Sequence, residues 1–394
     1  MPRSTVAGMR ILHTSDWHLG RSFHRVGMLE HQAAFVDHLV DAVRSEGIDV
    51  VVVAGDVYDR ALPALDAVTV LDDALCRLLD AGAQVLLTSG NHDSALRLGF
   101  ASRVLAHGGV HLRTRVDELA QPVLLADEHG PVALYGLPYL EPAMCAGPLG
   151  VSERSHAGVL SAAMGQVRAD LAARSPSTRS LVAAHAFVVG GQVSDSERDI
   201  SVGGVGAVPA AVFQGVDYVA LGHLHGRQRL AETVRYSGSP LAYSFSEAGH
   251  TKGSWILELG AAGVASVQPL QAPVPRPLRI LRGHLDDLLT EPGHAGAESA
   301  WCQVVLTDAQ RPRAAMARVQ QRFPHTLSLS FEPEGATAAA DSYATRVRGR
   351  SDIDVCCGFL DHVRGAGPDD GERALLARAL ELSRAATAGA GDAA

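Results

Sequence analysis

Apolar positions follow two alternating patterns along the first half of the chain. Short solid runs of strand length lie at Arg10 to Ser15, at 49–54 (DVVVVA) and at 84–89 (QVLLTS). Between them, Leu29, Ala33, Val36, Leu39 or Val40, and Val43 recur at helical spacing, and 64–81 repeats that spacing. Solid runs separated by helices of this length predict an α/β layered fold. Further runs at 132–137, 180–184 and 217–221 predict more strands, and SWILEL at 254–259 alternates like a half-exposed one. The apolar positions of 28–46 suit a core face better than a contact surface.

APVPRP at 272–277 breaks the pattern and marks a domain boundary. Beyond it come a strand at 277–281, a strand at 302–306, a helix at 309–322 and a strand at 326–331, a small α+β unit. Two amphipathic stretches, 351–364 and 371–383, close the chain after an Ala/Gly-rich segment. The predicted organisation is a disordered extension (1–9), a main domain (10–271), a small domain (272–335), a flexible linker (336–350), a helical pair (351–385) and a disordered tail (386–394). Each closing stretch is short for an isolated helix, since below ~12–15 residues these are marginal in water. A partner groove would supply what they pack on.

Composition narrows the class. The first ten residues, MPRSTVAGMR, carry no apolar core of a secretory signal, and no run approaches the ~18 apolar residues of a membrane span. Five cysteines (Cys76, Cys145, Cys302, Cys356, Cys357) form no CxxC pair, which fits a reducing cytoplasm. Net charge is −9, but 271–350 holds ten Arg against eight acidic residues, so the rest carries −11. The second region is therefore the better candidate for touching phosphates. All basic residues are Arg except Lys252, a bias read as compositional.

The chemistry concentrates in five short motifs, each after an apolar run. They are Asp16-x-His18, Gly55-Asp56, Gly90-Asn91-His92-Asp93, His185, and Gly222-His223-Leu224-His225. Ligand sites in open α/β sheets gather beyond the carboxyl ends of strands, so the five can converge. Carboxylate, amide and imidazole without thiolate suit Mn²⁺ or a similar divalent ion. A carboxylate can bridge two ions ~3.5–4 Å apart, which together clamp a phosphoryl group. If D-x-H and HLH continue their strands, each pair points to one face. Singly these motifs are weak: His185 alone would be a core histidine, and GNHD alone a helix cap.

In this order, the motifs resemble the calcineurin-like metallophosphoesterase superfamily. HTSDWHLG (13–20), VVAGDVYDRALP (52–63), TSGNHDS (88–94), ALGHLH (220–225) and YSGSPLAYSFSEAG (236–249) more closely resemble the D subunits of SbcCD-type nucleases. The resemblance implies a four-layer β-sandwich flanked by helices, with a small α+β capping domain and C-terminal helices. It implies two divalent ions, most simply Mn²⁺. Asp16, His18 and His225 would hold the first, Asn91, His185 and His223 the second, and Asp56 would bridge. His92 would protonate the leaving group, and Asp93 would orient it. The implied partners are DNA, an SbcC-type coiled-coil ATPase gripped by the C-terminal helices, and a second copy of the chain within a heterotetramer; no membrane is implied. One position departs: Asp59 stands where relatives carry a His. The competing readings are a phosphatase for small phosphoesters and a non-catalytic scaffold on the same fold.

Overall fold

The computed structural model describes residues 8–198, 206–334 and 350–391. Residues 1–7 of the expected extension (1–9) and 336–349 of the expected linker (336–350) lie outside the described residues, and Met9 already opens a strand. Two compact units divide after Phe331.

The first unit is built on two six-stranded sheets. One runs in the order Gly263–Gln271, Gly253–Gly260, Met9–Thr14, Val50–Ala54, Gln84–Thr88, Val110–Arg113. The other runs Gln228–Arg229, Val234–Tyr236, Tyr218–Gly222, Arg179–His185, Gly130–Leu137, Val123–Asp127. The central strands of both pair in parallel. They are buried on both faces, which is why they read as solid apolar runs. Ile11, Val50, Val52 and Leu86 of the first sheet interdigitate with Leu134, Leu181, Ala183 and Tyr218 of the second. Helices Leu29–Glu46 and Leu65–Asp80 cover the outer face of the first sheet through Phe35, Val36, Leu39, Leu71 and Leu78. The apolar face of the first of these helices is thus core. Helix His156–Ala172 covers the second sheet through Val159, Leu160, Met164 and Val167. The result is the four-layer helix–sheet–sheet–helix sandwich.

Glycine ends the 29–46 helix: Gly47 takes a left-handed φ of 60° and its N–H returns to Val43. The Ala272–Pro277 segment joins the strand ending at Gln271 to a third sheet of three parallel strands, Leu278–Gly283, Trp301–Leu306 and Thr326–Phe331. Leu281, Leu285, Val304, Val319 and Phe323 form its own small core. Its helix spans only Ala315–Arg322, shorter than the expected 309–322, with Pro312 and a left-handed Ala314 just before it. Leu278 and Trp301 pack against Phe23, Met28, Tyr243 and Phe245, so the third sheet rests on the main sandwich.

The second unit is a pair of helices, Asp352–Arg364 and Asp370–Gly391. Ser351 caps the first by accepting from Asp354 N at 3.3 Å, and Gly365 ends it at φ 73°. Arg364 then grips Glu372 through two bonds of 2.7 Å. The second helix runs past the expected end at 383, so the tail expected from 386 is helical as far as Gly391. Among the described residues, no helix is long and apolar enough to cross a membrane.

Candidate metal centre

The five motifs meet at one end of the sandwich because each follows the carboxyl end of a central strand. Thr14, Ala54, Thr88, His185 and Gly222 end those strands. Asp16 and His18 are not on a strand, so alternation does not aim them. The chain turns instead: Asp16, His18, Asp56 and His223 all take left-handed φ values of 54°, 47°, 48° and 108°. Each such non-glycine residue costs on the order of 1–3 kcal/mol, and the surroundings must impose it. They do so by pairing loop to loop, with Asp16 N on Gly55 O (3.0 Å), His18 N on Asp56 O (3.0 Å) and Leu19 N on Val57 O (2.9 Å). Gly90 and Gly222 allow the close approach: a Cβ at Gly90 would overlap the Asp56 carboxylate, and one at Gly222 the carbonyl of Ala54.

The side chains fall into two clusters joined by Asp56. In one, ligand atoms of Asp16, His18 and His225 lie within 4.8 Å of one another. His18 Nε2 and His225 Nε2 face each other at 3.1 Å. In the other, Asn91 Oδ1 lies 2.9 Å from His185 Nε2 and 3.3 Å from His223 Nδ1. Asp56 Oδ2 stands between the clusters, 3.7 Å from His18 Nε2 and 3.4 Å from His185 Nε2. Asp16, Asp56 and all four of these imidazoles are buried.

Outer contacts aim the lone pairs inward. His225 Nδ1 lies 2.6 Å from Ser196 Oγ, which itself bonds Glu247. His18 Nδ1 lies 3.5 Å from Asp59 Oδ1. His185 Nδ1 donates to Ala54 O at 3.0 Å. The Ala54 carbonyl only accepts, and Ser196 Oγ gives its own proton to Glu247, so on His185 and His225 the proton belongs on Nδ1 and Nε2 is left as a ligand atom. His225 Nε2 faces His18 Nε2 in the first cluster, and His185 Nε2 faces two further oxygens in the second. Burial and the neighbouring Asp56 push Asp16 up to about 8. Burial lowers His18 to about 3 and His225 to about 4. Burial opposes a charge on His185 too, yet Asp56 and Asp16 raise it to about 9. Asn91 Nδ2 is buried and, among the described residues, has no hydrogen-bond partner. This donor set fits two divalent ions of the hard or borderline kind.

The match of the calcineurin-like phosphoesterase family model to residues 9–227, over half of the chain, decides the family. The chain belongs to the calcineurin-like phosphoesterases. The family is one of metal-dependent phosphoesterases, and the two clusters could hold the ions. The model of the type 5 capsule protein repressor C-terminal domain, the C-terminal domain of SbcD-type proteins, matches 274–364. Solved structures of similar fold include TT1561 of Thermus thermophilus (15% identity, 67% of this chain and 99% of that chain, TM-score 0.39). A dimetal phosphatase from Danio rerio is similar at 14% identity (67% and 98%, TM-score 0.39). The inner membrane complex anchor GAP50 of Plasmodium is similar at 12% (68% and 90%, TM-score 0.38). At these values the three add nothing to the family assignment.

Two site residues take parts other than the expected ones. Among the described residues, no hydrogen bond joins the Asp93 carboxylate to the His92 ring. That carboxylate accepts from Val57 N (3.1 Å), Tyr58 N (2.9 Å) and Gly90 N (2.9 Å), which clamps the Asp56 loop to the Asn91 loop. Burial and the nearby Asp56 raise it to about 7. The His92 ring is oriented instead by the main-chain carbonyl of Asp59, 2.8 Å from Nδ1. Asp59, whose role the sequence left open, therefore orients His92 through its carbonyl, while its carboxylate lies 3.5 Å from His18 Nδ1. Sequence reasoning also passed over Ser196, Glu247 and Lys252 around His225, and Gln32 and Tyr243 behind His18. Gln32 Nε2 donates to His18 O (2.7 Å) and to Tyr243 Oη (2.8 Å), and Tyr243 Oη donates to Trp17 O (2.7 Å). The signal was present, since Tyr243 and Glu247 lie inside YSGSPLAYSFSEAG.

Proposed function

We propose that this chain is the nuclease subunit of an SbcCD-type assembly, a Mn²⁺-dependent DNA exonuclease and endonuclease acting on DNA ends and hairpins in the cytoplasm. The observation that carries this reading is the pairing of a two-cluster phosphoesterase centre with an SbcD-type C-terminal region on one chain. Exposed Arg279, Arg311 and Arg313 on the third-sheet region support a polyanionic substrate longer than one phosphate. Asp16, His18 and His225 would hold one ion, Asn91, His185 and His223 the other, with Asp56 shared. Bound ions would supply Lewis-acid polarisation of the phosphoryl oxygens and a nucleophile at neutral pH. His92 is half-buried beside these clusters, its ring 4.7 Å from that of His18, centroid to centroid. With Nδ1 donating to Asp59 O, its imidazolium form presents Nε2–H to the leaving 3′ oxygen. The deciding assay compares Mn²⁺-dependent cleavage of duplex and hairpin DNA with hydrolysis of a small phosphomonoester, with and without the ATPase. DNA cleavage that the ATPase stimulates is expected; turnover of the monoester alone would return the chain to the small-substrate phosphatases.

The C-terminal helices are proposed to dock on the coiled-coil base of the SbcC-type ATPase. Phe359 and Val363 are exposed one turn apart on the first, and Leu375 and Leu382 two turns apart on the second. Phe359→Asp or Leu380→Asp is expected to abolish co-purification with the ATPase and ATP-stimulated cleavage, leaving metal content unchanged. Undiminished complex formation would place the docking surface elsewhere.

A second copy of the chain is proposed to cover Leu62, Leu65, Leu96, Phe100 and Val104. Leu65 is 86% exposed and Phe100 81%. Arg97 donates to Ala61 O at 3.1 Å, so these two stretches lie side by side. Neighbouring exposed apolar side chains of this kind support a contact surface there. Phe100→Asp is expected to yield a monomer in sedimentation velocity; a persisting dimer would refute this contact.

A further inference from the structure

Lys252 is the chain's one lysine among 34 basic residues, and it is buried. Its ammonium donates to His225 O at 2.8 Å and to Ser239 Oγ at 2.9 Å, and it pairs with Glu247 Oε2. An ammonium has three donors, and all three are used. A planar guanidinium cannot converge on three acceptors set around one point, which accounts for lysine here in an arginine-rich chain. The other Glu247 oxygen accepts from Ser196 Oγ and lies 3.5 Å from His225 Nδ1. Ser196 Oγ in turn stands 2.6 Å from that Nδ1. One ion pair therefore holds His225 at both its main-chain carbonyl and its ring.

We propose that Lys252, Glu247 and Ser196 form a positioning relay for His225 that sets the affinity of the Asp16–His18–His225 metal site separately from its neighbour. The inference rests on the two-ion reading of the centre. Core packing alone gives no reason for the pair, because replacing a buried ion pair with well-packed apolar side chains is often neutral or stabilising. Among the described residues, no hydrogen bond joins the relay to Asn91, His185 or His223, whose side chains are tied to one another, to Asp56 and to the chain at Ala54. Contacts behind a metal ligand fix its tautomer and ring orientation, and their loss typically weakens binding about 10–100-fold.

The test is a Mn²⁺ titration of the full chain, with free ion followed by electron paramagnetic resonance. Ser196→Ala removes one oxygen from a loop and should leave the fold intact. Lys252→Met and Lys252→Arg probe the pair itself. All three are expected to weaken one of two Mn²⁺ sites about 10–100-fold and leave the other at wild-type affinity. Failure of Lys252→Arg to behave as wild type would show that position, not charge alone, matters. Wild-type affinity at both sites in Ser196→Ala and Lys252→Met would overturn the relay, as would equal weakening of both sites. A wild type binding fewer than two ions would overturn the two-ion reading as well, whereas two wild-type sites with unchanged variants would overturn the relay only.

Discussion

Asp56→Ala is expected to lose both metal ions and, with them, all phosphodiester cleavage. The Asp56 carboxylate lies within reach of both clusters, 3.7 Å from His18 Nε2 and 3.4 Å from His185 Nε2. Burial opposes its charge, but His185, His18 and His92 hold it well below the usual carboxylate range. Its other oxygen accepts from His92 N at 2.8 Å, so the same side chain places the loop that carries Asn91 and His92. Alanine would remove the shared ligand, leave that N–H without its partner at a cost of about 1–3 kcal/mol, and sit poorly at a φ of 48°. Asp56→Asn separates these effects. Asparagine tolerates the left-handed region and keeps an acceptor for His92 N, but it lacks the charge. Elemental analysis after gel filtration should find two ions in the wild type, none in Asp56→Ala, and a deficit in Asp56→Asn. His18→Ala should lose one only. An Asp56→Ala protein that retains two tight ions would sink the bridging role.

Much of this centre was legible because the strands that carry it are buried on both faces. Such strands read as solid apolar runs, and a polar residue just past a run has few places to go but the carboxyl end of the sheet. That is how Asp56, Asn91, His185 and His223 could be grouped before any coordinates. Conformation past the strand end was not legible. Nothing in D-x-H distinguishes a strand from a left-handed turn, because the pairing of Asp16 N with Gly55 O joins residues that only the fold brings together. Alternation placed Asp16 and His18 together for the wrong reason. The relay behind His225 was hidden in the same way: Ser196 and Glu247 lie 51 positions apart. Lys252 left a compositional trace, as a single lysine among arginines, which an explanation by overall bias discards. Helix His156–Ala172 was missed for another cause. Its alanines and glycines spread weak hydrophobicity around the whole circumference, so buried Val159, Leu160, Met164 and Val167 give little contrast.

His92→Gln should keep both ions and lose cleavage by about 10²–10⁴-fold, the usual range for general acid–base help. The ring takes no part in either cluster as assigned, and its Nδ1 is committed to Asp59 O at 2.8 Å. The bond from His92 N to Asp56 is made by the main chain and survives the substitution. Half-buried placement makes a large loss of stability unexpected. The informative comparison uses two phosphodiesters with different leaving groups. A DNA 3′ oxygen is a poor leaving group and needs a proton as it departs; a nitrophenolate does not. Loss on DNA should therefore be large, and loss on bis-p-nitrophenyl phosphate small. If both substrates slow by the same factor, His92 acts on the phosphoryl group in some way other than protonating the leaving oxygen. If the variant instead arrives with one ion missing, His92 is a ligand, consistent with its approach to His18 and Asp59, whose ligand atoms all lie within 4.8 Å of its own.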